Sequence, residues 1–298
     1  MNATFMHPPA IAPARANTSG TIVHSRYRLE YNTRAQPIGI ERGAQVAADL
    51  ARGLPAFNVD QYFGSQPTIF EDYDHVVTAY ARDSGRAVSL IAARWLGNAD
   101  LRFLYLWTAM VADDYRNTGV FRRSLAWFFE RVAASEGDQA VPPLIVTKTY
   151  NPVVYKVFSM FAATGSAVDL YPRIPAASQS PEMIDLARRV AHAISPKLQL
   201  IEQTGVVLGG QAMVAPDFFP LMEQSKDRHV NAHFERHLSR ADQILCIARV
   251  PDVDRAAMLE TLVCAHPQGT PRTQHRQPSR HTHAEPAGFA RDRSPFKA

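Results

Sequence analysis

Residues Leu101 to Leu125, LRFLYLWTAMVADDYRNTGVFRRSL, set a glycine-bearing polar loop between an apolar run and a helical pattern. Leu101–Val111 has strand character; the chain turns polar at Ala112-Asp113-Asp114, and helical periodicity resumes after Gly119. The first N–H groups of a helix lack intrahelical partners and carry partial positive charge, so such a loop is suited to a phosphate. A buried strand running into a core helix would use the same residues with no ligand at all. Tyr150-Asn151-Pro152 supplies an N-cap and a proline at a first helical position, so a second helix starts there. His229, His233 and His237 recur every four residues, a spacing at which imidazoles can chelate zinc. No Glu directly follows the first His, as the metalloprotease pattern requires, and the row reads as a half-exposed helix face rather than a metal site. A Gly-x-Ser-x-Gly elbow, a Cys-x-x-Cys pair and a Walker loop are all absent from the sequence, which weighs against those enzyme classes.

The elements that must position these residues follow from periodicity and turn chemistry. Thr21–Tyr31 reads as a first strand and Pro37–Leu54 as an amphipathic helix through Ile40, Ala44, Ala47, Leu50 and Leu54. His75–Arg82 and Arg86–Leu96 flank the turn Asp83-Ser84-Gly85, and Gly97–Asp100 turns the chain again into Leu101–Val111, giving an antiparallel meander. A helix over Val120–Val132, with Phe121, Leu125, Phe128 and Val132 on its buried face, separates that run from a strand at Leu144–Thr149. The intervening helix allows those two strands to lie parallel. A helix from Asn151-Pro152 to about Ala163 and a strand at Ser166–Tyr171 follow. Beyond Arg173 come a helix at Pro181–Ile194, a hairpin around Gly209-Gly210 within Thr204–Val214, a helix at Lys226–Arg240, a strand at Asp242–Val250 and a helix at Val253–Val263.

Composition bounds the class. The 298 residues are 46% hydrophobic, enough for a sizeable core. From His266 onward lie six of the 32 Lys and Arg but two of the 28 acids, so the rest of the chain is balanced at 26 and 26. The basic excess belongs to a Pro-, Arg- and His-rich tail, and the body announces no nucleic-acid partner. Cys246 and Cys264 sit in apolar settings and read as buried thiols of a reducing compartment. No apolar run is long enough to span a membrane, and Pro8, Pro9 and Pro13 interrupt any secretory segment, so a cytoplasmic location is expected.

Arg116-Asn117-Thr118-Gly119-Val120-Phe121 resembles the pyrophosphate-binding motif of the GCN5-related N-acetyltransferase (GNAT) superfamily, Gln/Arg-x-x-Gly-x-Gly/Ala. Arg116 and Gly119 match, and Phe121 stands where that motif has a small residue. The order of elements over about residues 21–173 is similar to that family's as well. The resemblance implies an α/β (α+β) fold: a GNAT-like mixed central sheet flanked by helices. Residues 1–20 would precede it as a disordered segment, 174–265 would form a helical and strand extension in which Asp242–Val250 completes the sheet, and 266–298 would be a disordered tail.

What the resemblance implies for activity is transfer of an acetyl or longer acyl group from acyl-CoA to a primary amine by direct attack, with a small-molecule acceptor and no metal. The main chain of Ala109, Met110 and Val111 would hold the pantetheine and thioester. That of Arg116, Asn117, Thr118, Gly119, Val120 and Phe121 would hold the pyrophosphate, with Arg116 and Arg122 adding charge. Asn151 matches the family's asparagine at the next helix start. The family's thiolate-protonating Tyr falls seven residues later, where this chain has Phe158, leaving Tyr155 as the alternative acid. Two other readings stay open: a catalytically silent CoA-binding or partner-binding module of the same fold, and the branch containing acyl-homoserine-lactone and N-acyl amino acid synthases.

Overall fold

The computed structural model describes residues 20–164, 168–175, 178–209 and 223–264. Expectations for the N-terminal segment, the tail and Gly210–Val214 lie outside them, as does the side chain of Cys264. Among these residues ten strands form one mixed sheet: β1 (Gly20–Val23), β2 (Tyr27–Thr33), β3 (His75–Ala81), β4 (Ala87–Asn98), β5 (Leu101–Val111), β6 (Leu144–Thr149), β7 (Asp169–Tyr171), β8 (Gln199–Ile201), β9 (Val206–Leu208) and β10 (Gln243–Arg249). Their order is β1-β2-β3-β4-β5-β6-β10-β9-β8, with β7 also on β10. The helices are α1 (Ile40–Gly53), α2 (Val59–Gly64), α3 (Ile69–Asp72), α4 (Val120–Ser135), α5 (Pro152–Thr164), α6 (Pro181–Ile194), α7 (Arg228–His237) and α8 (Asp252–Cys264).

The meander β3-β4-β5 forms because alternating apolar residues face both layers and the turns have the chemistry they need. Asn98 Oδ1 accepts from the N–H of Asp100 and Leu101, closing the β4–β5 turn. Gly97 there has φ 96°, and a side-chain carbon would sit 1.7 Å from the Leu101 carbonyl oxygen, so only glycine fits.

Each sheet face has its own cover. On one, Phe128, Phe129 and Val132 of α4, Phe158 and Phe161 of α5, Phe234 of α7 and Met258 of α8 are buried with Leu104 and Ile145. Truncating Phe128, fully enclosed, would cost about 3–5 kcal/mol. The other face is divided. Val46 and Leu50 of α1, with Tyr62 and Ile69, cover the β3–β4 side, while Met183, Ala187 and Val190 of α6 cover β6 and β10.

One sequence expectation is corrected and one hairpin is added. The single strand over Thr21–Tyr31 is a hairpin, β1–β2, turned at His24-Ser25-Arg26 with no Gly or Pro to mark it. A further hairpin, β8–β9, which the sequence reading did not mark, turns at Glu202–Gly205, while the one expected around Gly209-Gly210 runs beyond the described residues.

Candidate active site

β5 and β6 lie parallel, and their register covers two residue pairs, Leu104 with Ile145 and Tyr105 with Val146. Past these the strands part, although β5 continues to Val111 and β6 to Thr149. The parting has a cause in β5. Ala93 pairs with Leu106 but Ala92 with Thr108, which leaves Trp107 as an extra residue, and such a bulge bends its strand. At the fork the Thr147 hydroxyl donates to the Leu106 carbonyl at 2.9 Å, a side chain standing in for a main-chain rung.

Beyond the fork β5 keeps β4 on one edge only. The Ala112 N–H donates to Val88 O, and with the period of two along a strand the N–H of Met110 also turns to β4, while those of Ala109 and Val111 face the gap. Ala109 is solvent-exposed in the middle of a central strand, as an open cleft requires. The expected trio therefore divides, with the main-chain donors of Ala109 and Val111 in the cleft and that of Met110 in the sheet.

β5 leads through a 3-10 turn at Asp113–Tyr115 into α4. Asn117 (φ 61°) and Gly119 (φ 82°) are both left-handed, and no side chain caps the helix. The first main-chain bond into α4 runs from Arg123 N to Gly119 O, so the N–H groups of Val120, Phe121 and Arg122 have no acceptor among the described residues. Nothing lies within 4 Å of where a Gly119 side chain would begin. Phe121, the departure from the motif, packs on the α4–α5 core and leaves that space open. Thr118 Oγ1 donates to Tyr115 O, and Arg122 is exposed.

α5 begins across the cleft. Asn151 Oδ1 accepts from Val153 N at 2.8 Å, and Asn151 N donates to Thr149 Oγ1, which fixes the side chain. Its Nδ2 donates to Glu223 Oε2 at 2.7 Å, and the other Glu223 oxygen pairs with Arg116. Arg116 also pairs with Asp113 at 3.0 Å and lies over the Phe57 ring. The carboxylate of Glu223 thus joins the two sides of the cleft mouth. Burial, and secondarily Glu223, hold the Tyr150 phenol well above its usual pKa. Tyr155 donates to Pro172 O at 2.7 Å and accepts from Ile174 N at 3.1 Å, and burial raises its pKa as well. Phe158 is enclosed against Phe161.

The remaining polar candidates separate by face. Thr108 is buried between the hydroxyls of Tyr62 and Tyr73. Lys148, on β6 just past the fork, has its pKa lowered to about 8 by burial. His233 binds Thr204 O, and among the described residues no group of three side chains is placed to hold a metal. No described helix is long and apolar enough to cross a membrane. Sequence reasoning missed Glu223, whose contacts are 72 and 107 residues distant, and it missed Lys148. A lone cation inside the apolar strand LIVTKT was the available signal for the latter.

No protein-family model and no curated protein matches the chain. Among solved structures it is similar in fold to N-acetyltransferases. One is the NatB acetyltransferase complex bound to a bisubstrate inhibitor, at 13% identity over 72% of this chain and 89% of that one, TM-score 0.34. Another is the GNAT family N-acetyltransferase YhbS from Escherichia coli in complex with CoA, at 17% identity over 47% and 71%, TM-score 0.33. Diaminobutyrate acetyltransferase EctA from Paenibacillus lautus, with L-2,4-diaminobutyric acid and coenzyme A, aligns at 16% identity over 52% and 84%, TM-score 0.32.

Proposed function

We propose that the protein is an acyl-CoA-dependent N-acyltransferase that passes an acetyl or longer acyl group directly to a primary amine. The observation that carries this is the fork: two parallel central strands that part after two residue pairs, with main-chain donors facing the gap and an uncapped helix start at its mouth. A thioester-bearing nucleotide fits both features at once, its diphosphate at the N–H groups of Val120–Arg122 and its pantetheine arm between β5 and β6. The acyl-CoA supplies an activated carbonyl and a thiolate leaving group.

The chain's own groups then have defined tasks. The N–H groups of Ala109 and Val111 hold the pantetheine and the thioester carbonyl, where negative charge develops as the amine adds. Asn151, held by its cap bond to Val153 N–H, offers Nδ2 to the arm once the Glu223 carboxylate that it now binds is displaced. Arg116 and Arg122 supply charge at the diphosphate. One C–N bond forms and the C–S bond breaks, and the proton lost by the amine balances the one gained by the thiolate. Tyr155 is assigned to holding the turn at Pro172–Ile174, so protons move through cleft water. Positioning supplies most of the rate.

A second reading, a CoA-binding module without turnover, draws on Phe158, a ring with no proton to give. Thermal unfolding with CoA, acetyl-CoA and longer esters tests both. A rise in midpoint that is diminished in Gly119→Trp and Arg116→Ala supports the cleft; no rise with any ester sinks it. Binding without turnover across an amine panel selects the silent module.

A further inference from the structure

On the face away from α4 and α5, the covering layer has a seam. α1–α3 form one cluster and α6 the other, and Trp107, the bulged residue of β5, is half-buried against both. Trp107 thus sits where the two clusters meet, next to the Thr147–Leu106 bond of the fork and on the face opposite α4.

Two cations share this face of the sheet with Trp107. Arg94 on β4 pairs with Tyr105 on β5, Tyr105 with Val146 on β6, and Lys148 lies two residues beyond Val146 on the same face. The Arg94 guanidinium lies 4.9 Å from the Trp107 ring centre, and its Nε is buried with no hydrogen-bond partner. Lys148 has no carboxylate or hydrogen-bond partner among the described residues, and burial alone governs its proton affinity. Ordinary sheet spacing over the paired rows puts the Arg94 and Val146 Cα atoms about 10 Å apart, and Lys148 stands two residues further along β6, so both long side chains can extend toward one small group. A half-buried ammonium and a buried guanidinium N–H left without an anion are costly unless a ligand completes them.

We propose that this seam binds the anionic end of the acceptor: the amine substrate carries a carboxylate or phosphate, received by Lys148 and Arg94, with its amino group directed at the fork beside Trp107. This rests on the acyltransferase reading and narrows it to amines bearing an oxyanion.

The test uses the full chain with acetyl-CoA and a long-chain acyl-CoA, and matched acceptors: phenylalanine against phenylalanine amide and 2-phenylethylamine, and O-phosphoethanolamine against ethanolamine. The anionic member of at least one set should be preferred by about tenfold or more in kcat/KM, and which set responds separates carboxylate from phosphate. Lys148→Met and Arg94→Met should each raise KM for that acceptor by about tenfold while KM for the acyl-CoA stays within about twofold, and Lys148→Arg should restore most of the preference. The thermal midpoint of each variant, measured with and without CoA, shows that it is folded and loads its co-substrate. Equal or better turnover of the neutral amines overturns the inference and leaves the transferase intact. CoA binding without turnover of any anionic amine also overturns it, and failure to bind any CoA ester overturns both readings.

Discussion

The amide of Asn151 donates to the carboxylate of Glu223 at 2.7 Å, tying the first turn of α5 to a residue 72 positions later in the chain. Because the same carboxylate pairs with Arg116, it occupies donors on both sides of the cleft mouth. A diphosphate arriving there meets a fixed negative charge and must displace it. Glu223→Gln should therefore tighten CoA binding by about five- to tenfold at low salt, and the gain should shrink as screening rises. Calorimetric titration at two ionic strengths checks this, and weaker binding by the variant would place the diphosphate elsewhere. The bridge is partly exposed, so stability should change by less than about 1 kcal/mol.

The fork makes a statement about individual amides. In a closed sheet the N–H groups of Ala109 and Val111 would be as protected as their neighbours. Here they face the gap, whereas Met110 N–H turns to β4. Hydrogen exchange in the free protein should be faster at 109 and 111 than at 108 and 110, and acyl-CoA should slow the first pair selectively. Uniform protection along β5 would mean that the strands close. Removing the rung at the fork with Thr147→Val should cost about 1–2 kcal/mol, since the Leu106 carbonyl then loses its donor.

For Tyr155 the two candidate roles give opposite outcomes. A phenol that protonates the leaving thiolate would lose turnover on conversion to Phe with little effect on stability. A phenol bonded to Pro172 O and Ile174 N should instead cost about 1–3 kcal/mol in unfolding free energy, with kcat reduced less than about threefold. Denaturant unfolding and steady-state kinetics on Tyr155→Phe separate them.

Much of the fold was legible because its signals are local. The bounds of β5 and β6 follow from apolar runs ended by Ala112-Asp113 and by Pro143 and Tyr150-Asn151, and the helix between them dictated a parallel pair. The β1–β2 hairpin was invisible because His24-Ser25-Arg26 offers a lone Ser and none of the Gly, Pro, Asn or Asp that mark a tight turn more strongly. Within the site, the glycine loop and the Asn151 cap are sequence patterns and were read as such. The Trp107 bulge is a mismatch between two strands, and the Glu223 bridge joins residues with no periodic relation; neither exists until the sheet is assembled. Lys148 gains its meaning from a partner it lacks, which only packing reveals.

His75 carries a pH dependence of folding. It is buried between Tyr31, whose hydroxyl lies 2.7 Å from Nδ1, and Trp95, whose indole N–H donates to Nε2 at 3.1 Å. That acceptor bond requires a neutral ring, and burial lowers the pKa from 6.5 to about 4, against smaller opposing effects of Asp74 and Glu136. Between those two values the unfolded chain binds a proton that the folded chain refuses. The contribution is therefore whole above pH 6.5 and is lost as pH falls toward 4, by up to about 3 kcal/mol. Denaturant midpoints measured from pH 7.5 to 4 should fall along this curve, and in His75→Gln the slope between pH 6.5 and 4 should flatten even though the variant is less stable throughout. An unchanged slope would assign the acid sensitivity to carboxylates instead.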